Sequence, residues 1–301
     1  MNLLFIVGTG RCGSTMVQEV LARHQDVGFV SNIDDRASFI NSLGRWNNTL
    51  YRRTPARYTQ RDRRRLIGSG DPPEVHFGPS EAYDLLERQI SPLLGSTFRD
   101  LTAADAFPWV AKRCRAFFEE RDASQGKQLF MHKFTGWPRA RFLHAIFPEA
   151  QFLHIVRDGR AVANSLIQRP WWRGFKGPGE WGFGILPAAY EEEWLDSQRD
   201  FVVLAGLEWK VLMDGFEQCR AEIPAAQWNE LRYEDFVEAP RERLAEVFEI
   251  VGLEWSSAFE KTFSNFVFTK GKKERYLEDL TERQIESLTK ILGAHLSRLG
   301  Y

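Results

Sequence analysis

Only three cysteines, Cys12, Cys114 and Cys219, occur in the 301 residues. They lie far apart, which excludes a disulfide framework and the common zinc-ligand spacings. An excess of charge of either sign is missing too. Lys and Arg number 40 against 41 Asp and Glu, a formal net charge of −1, so global charge gives no reason to expect a nucleic acid or a membrane surface as partner. No apolar run approaches the ~20 residues needed to cross a bilayer. The opening MNLLFIV is apolar but too short for a signal h-region, and it passes straight into a glycine turn. There is no internal repeat and no linker. These absences leave a single soluble, cytoplasmic domain over 1–301 as the expectation, and the 43% hydrophobic content supplies a sizeable core.

The pattern that is present alternates strands with helices. Leu3–Val7 is a short continuous apolar run, as expected of a strand buried on both faces. Further strands are expected at Gln128–Met131, Gln151–Val156 and Trp228–Arg232. Helices are expected at Ser14–His24, Glu81–Gln89, Phe107–Arg121, Arg139–Phe147, Gly159–Gln168, Phe236–Val251 and Thr281–Leu299, the last capped by Thr281. This order predicts an α/β fold with a central, mostly parallel sheet covered on both faces. Two segments exceed ordinary connections and read as lids or binding loops. Residues 45–70 are basic, with Arg61, Arg63, Arg64 and Arg65 clustered, and residues 170–194 are rich in glycine and aromatics. For the arginine cluster taken alone, a solvated face is the better reading.

Between the first strand and first helix stands GTGRCGST, Gly8–Thr15. Gly8 and Gly13 have the spacing of a phosphate loop, G-x-x-x-x-G-K-[ST], but Ser14 occupies the lysine position. Glycines let successive backbone N–H groups converge on an anion at a helix N-terminus, where the dipole also favours negative charge. Ser14 and Thr15 add hydroxyl donors and Arg11 a permanent charge. Without the lysine that reaches between β- and γ-phosphates, the loop suits a single terminal phosphate better than a triphosphate. Cys12 reads as a small residue facing the underside of the loop, since a nucleophile wants a general base beside it.

A second motif is HIVRDGRAVANSL, His154–Leu166. Its strand delivers Arg157 to the carboxyl edge of the sheet, where open α/β sheets bind ligands. Asp158 can cap the following helix. Ser165 lies eight residues from Arg157, ~12 Å of helix rise, so spacing alone does not make the two share a ligand.

Together these motifs resemble the sulfotransferases that use 3′-phosphoadenosine 5′-phosphosulfate (PAPS). Gly10, Arg11, Cys12, Gly13, Ser14 and Thr15 are similar to the family's 5′-phosphosulfate loop, [GP]-x-[KR]-S-G-[ST]-[ST]. Arg157 and Ser165 match its 3′-phosphate motif, an arginine at a strand end and a serine eight residues on. LRYEDF resembles the family's Y-E-D segment, which implies that Tyr233 lies near the adenine. TKGKKERYLEDL resembles a basic glycine segment of bacterial members, which implies that Lys270, Gly271 and Lys272 approach the 3′-phosphate.

The resemblance implies a P-loop NTPase-like three-layer fold. It also implies a reaction in which an acceptor hydroxyl or amine attacks the sulfur of PAPS and adenosine 3′,5′-bisphosphate leaves. Arg11 and Lys133, the latter matching the lysine of an E-K-T-P-like segment, would stabilise charge on the departing oxygen. No metal is required. A general base is harder to assign, because the sequence departs from the family at the expected positions. Asp34, Asp35 and His132 are rivals, with a satisfied strand-end histidine an equal reading of His132.

The aromatics of 170–194 (Trp171, Trp172, Phe175, Trp181, Phe183, Trp194) together with the arginines of 45–65 point to an anionic or sugar-containing acceptor, although pinning a long loop to the core explains several of these aromatics equally well. A nucleotide or small-molecule kinase on the same fold is the principal alternative. It is disfavoured by Ser14 in the loop and by Arg157, not an aspartate, at the end of QFLHIV. A non-catalytic binder of phosphonucleotides or sulfated glycans is a third.

Overall fold

The computed structural model describes residues 1–36, 41, 43–54, 76–268 and 274–301. Five strands form one sheet: β1 (Leu3–Gly8), β2 (Val27–Phe29), β3 (Leu129–Thr135), β4 (Gln151–Val156) and β5 (Trp228–Arg232). The order is β2-β3-β1-β4-β5, and every pairing is parallel. β1 is central and wholly buried. Its side chains alternate between two cores, as strand geometry requires. Leu3, Phe5 and Val7 enter one, beside Phe118, Phe134, Phe152 and Trp209. Leu4 and Ile6 enter the other, beside Val17, Val20, Met131, Ile155 and Phe248. Helices cover both faces, giving three layers.

The direction of winding fixes where a ligand can sit. From β1 the chain crosses to β2 and returns through β3; from β4 it continues outward to β5. The carboxyl ends of β1 and β4 therefore flank the switch point, where connections leave the sheet in opposite directions and open a crevice. The helix after β1 (Ser14–Leu21) packs its Val17, Val20 and Leu21 on one face. The helix after β4 (Gly159–Ile167) packs Ala161, Val162 and Leu166 on the other.

Sequence expectations hold for the strands and most helices that they name, but the helices Asn32–Arg36, Asn47–Arg53, Ala188–Asp196, Ser257–Phe263 and Tyr276–Asp279 are absent from that reading, and there are further departures. Phe236–Val251 is two helices, Tyr233–Glu238 and Pro240–Val251, because Pro240 starts a new first turn. β2 spans three residues, too few for a readable pattern. The 22-residue helix Phe201–Glu222 is also absent from the sequence reading. It is buried on most sides, between the Gly159–Ile167 and Glu282–Arg298 helices, so it carries no clear polar stripe. Gly159 admits it closely: a Cβ there would stand 2.6 Å from the Trp209 ring. The caps expected at Asp158 and Thr281 form, each accepting a backbone N–H. Among the described residues no helix is long and apolar enough to cross a membrane.

Candidate active site

A cleft of about 550 Å³ opens at the switch point, lined among others by Gly10, Arg11, Gly13, Ser14, Thr15, Glu81, Thr135, Arg157, Ser165 and Tyr233. The loop at its floor is held in a conformation that ordinary residues resist. Gly10 and Gly13 have φ of +80° and +96°, and Arg11 between them has φ +54°. Tyr233 packs closely on the loop, where a Cβ on Gly13 would stand 2.3 Å from its Cδ2. Cys12 is fully buried beneath, its Sγ 2.5 Å from where a Cβ on Gly8 would be. Its thiol thus faces the underside of the loop, as the sequence suggested.

Arg11 joins the two motifs. Its Nε donates to Ser165 Oγ at 3.1 Å, and its carbonyl accepts from Arg157 Nη1 at 2.8 Å. The gap between Arg157 and Ser165 is thereby spanned from a third element. The Arg157 guanidinium also lies 4.5 Å over the Tyr233 ring, a cation–π contact that orients it. Two guanidinium groups and a hydroxyl thus line one end of the cleft.

At the other end Thr15 and Glu81 line the cleft, with Lys133 buried behind them. This lysine is 3% exposed, and its Nζ donates to Thr15 Oγ1 at 2.7 Å and pairs with Glu81 Oε1 at 2.9 Å. The other Glu81 oxygen accepts from Thr135 Oγ1 at 2.8 Å. Burial pushes the Glu81 carboxyl up, but the Lys133 charge and these hydrogen bonds outweigh it and hold the group below its ordinary value. Glu81 is therefore a carboxylate at neutral pH. The segment before it bridges Ser31 to Pro79, and the Tyr83 hydroxyl donates to the Thr135 carbonyl at 3.1 Å. These contacts bring Glu81 to the carboxyl end of β3.

The three bases named from sequence do not reach this cleft. His132, on the opposite face of β3 from Lys133, is fully buried with its ring 4.8 Å from Phe134 and 5.5 Å from Phe118. Burial pushes its pKa down to about 3. Asp34 is fully buried and accepts from the Ser31 N–H and the side-chain amides of Asn41 and Asn47. Asp35 accepts from the Leu85 N–H at 2.9 Å, capping the helix Tyr83–Gln89. Burial raises both carboxyls.

Glu81 was not selected from sequence. It lies 70 residues beyond Arg11, and no local spacing marks it; only the tertiary path above does. Lys270, Gly271, Lys272 and Arg61, Arg63, Arg64 and Arg65 lie outside the described residues. In the 170–194 segment Trp172, Trp181 and Trp194 are buried, while Trp171 and Phe175 are exposed. The buried three pin the loop and present no face to a sugar.

A family model described as "Sulfotransferase family" matches residues 4–257. No curated protein matches the sequence. Among solved structures, the chain resembles sulfotransferase STF9 from Mycobacterium avium at 13% identity, covering 99% of this chain and 76% of that one with a TM-score of 0.54. It resembles STF1 from Mycobacterium tuberculosis H37Rv at 16% identity, covering 96% and 75% with a TM-score of 0.53. A sulfotransferase from Alicyclobacillus acidocaldarius matches at 14% identity, covering 99% and 94% with a TM-score of 0.50. At such identities the likeness is one of fold.

Proposed function

The chain belongs to the sulfotransferase family, and on that premise we propose that it moves the sulfuryl group of PAPS to an acceptor hydroxyl, with Glu81 as general base. One observation carries this reading: a single cleft has Arg11, Arg157 and Ser165 at one end and the Thr15–Lys133–Glu81 chain at the other. Two separated anionic groups, a 3′-phosphate and a 5′-phosphosulfate, fit that division. A triphosphate, with its charge contiguous, does not use it.

In the proposed reaction the acceptor oxygen forms a bond to sulfur while the bond from sulfur to the 5′-phosphate oxygen breaks. The electron pair leaves with adenosine 3′,5′-bisphosphate. The loop amides, Ser14 and Thr15 hold the 5′ group, and Lys133 opposes the charge that grows on the departing oxygen. Arg157, Ser165 and the Arg11 side chain bonded to it hold the 3′-phosphate. Tyr233 borders the adenine side. Glu81 takes the acceptor proton, and its tie to Lys133 fixes the base relative to the leaving group. Lysine and arginine charge serves here where triphosphate enzymes use magnesium. Of the tryptophans of 170–194, Trp172, Trp181 and Trp194 are buried and Trp171 stands exposed at the cleft, so a hydroxyl acceptor, a carbohydrate among them, is retained.

The test is turnover of PAPS with the Glu81→Gln chain. The reading requires the rate to fall while adenosine 3′,5′-bisphosphate still binds. An unchanged rate removes Glu81 from the reaction.

A further inference from the structure

A second depression, a groove of about 660 Å³, runs between residues 95–98 and 178–191 and takes no part in the scheme above. Its walls are held apart by different means. Behind the first lies Arg139, 1% exposed, whose guanidinium donates to the carbonyls of Leu94, Ser96, Thr135 and Trp137. Behind the second lies Trp181, 3% exposed and packed on Val203, Leu204 and Leu207, with its indole donating to the Gly184 carbonyl at 2.7 Å. The walls meet where Gly184, at φ +79°, comes so near that a Cβ would stand 1.9 Å from the Phe98 carbonyl oxygen. Each wall is anchored to the body of the protein, so the groove does not close by collapse of a loose loop.

Its chemistry is apolar and its position adjoins the cleft. Phe98 and Ile185 line it while 63% and 83% exposed, and Glu191 is the single charged residue among its lining. Large apolar side chains left open together mark a contact surface. A lining with one carboxylate and no cation disfavours an anionic ligand. The Phe183 ring, between two residues of the second wall, covers Gly136, where a Cβ would lie 3.1 Å from it. Gly136 follows Thr135, which lines the cleft and donates to Glu81. The Arg139 guanidinium donates to the carbonyls of both Ser96, in the groove, and Thr135, in the cleft, so the groove lies beside the Glu81 end of the cleft.

We propose that this groove receives the uncharged, apolar part of the acceptor, an elongated neutral alcohol whose hydroxyl reaches Glu81. Phe98 and Ile185 set the specificity. The inference rests on the sulfuryl-transfer reading and narrows its acceptor.

The experiment titrates 1-alkanols of increasing length into the full chain, with and without saturating adenosine 3′,5′-bisphosphate, by calorimetry. Each added methylene should tighten binding by up to about fourfold, the value of a buried methylene. Ile185→Glu and Phe98→Glu, at exposed positions, should abolish that length dependence while bisphosphate affinity stays as in the parent chain. Affinity that does not grow with length, or growth that survives both substitutions, overturns the proposal. So does tighter binding of a sulfated or carboxylated sugar than of any alkanol. If the bisphosphate fails to bind while the alkanols do, the donor reading falls and takes the acceptor assignment with it. If the bisphosphate binds and the alkanols do not, only the groove is refuted.

Discussion

Lys133 holds two groups at once, Thr15 of the phosphate loop and Glu81 of the β3 edge. The proposed role of Glu81 as base has definite consequences. Glu81→Gln keeps the shape and the contact with Thr135 but removes the proton acceptor, so turnover should fall by about 10²–10⁴-fold. Because Glu81 sits below its ordinary value near 4.5, it stays ionised as pH falls to that point. The acid limb of the parent rate profile, followed at saturating PAPS, should accordingly lie below about pH 4.5; a limb near pH 6.5 would indicate a histidine instead. His132→Ala should act differently. Its ring fills an aromatic core, so thermal melting should show a loss of about 2 kcal/mol or more, with turnover per folded molecule unchanged. The sequence marks Arg11, Lys133, Arg157 and Ser165 because they sit in local motifs at strand ends. It does not mark Glu81, whose place depends on a bridge between Ser31 and Pro79 and on Tyr83 meeting Thr135. For His132, adjacency to Lys133 misleads, since neighbours on a strand point to opposite faces.

The loop Gly8–Gly13 and the segment after Ser165 are two of the elements that line the cleft. In the loop, Gly13→Ala imposes a left-handed cost of ~1–2 kcal/mol on an ordinary residue and drives a methyl into Tyr233. Calorimetry should show bisphosphate affinity reduced by about tenfold or more. In the second element, Trp172 is fixed from behind: its indole donates at 2.8 Å to Glu208, a 1% exposed carboxyl on the helix Phe201–Glu222. Burial pushes Glu208 up to about 8. The folded chain keeps this proton between pH 4.5 and 8 while the unfolded chain does not, so stability should fall by roughly 1.4 kcal/mol per pH unit across that window and level off above it. Glu208→Gln retains the acceptor for Trp172 and should flatten the melting temperature over the same range; an equal slope in both chains would contradict this. Strand and helix periodicity made β1, β3, β4, β5 and most helices legible. The buried helix Phe201–Glu222 and the three-residue β2 were not, because each is defined by what surrounds it.

The molecule as a whole resolves into one parallel sheet whose winding opens a crevice between the ends of β1 and β4. Strand-glycine-helix order and the strand-end arginine predicted that arrangement, since both depend on local sequence. The division of the crevice into two ends depends on Arg11 turning to Ser165 while Lys133 turns to Thr15, which no spacing reveals. On the proposed reading, that division favours a ligand with separated 3′ and 5′ anions over one with a contiguous triphosphate. The most direct measurement is calorimetric titration of the chain with adenosine 3′,5′-bisphosphate and, separately, with ATP. The bisphosphate should bind at least about tenfold more tightly, and Arg157→Ala should remove most of that advantage. ATP binding as well as the bisphosphate, or better, would contradict the assignment of the cleft to PAPS.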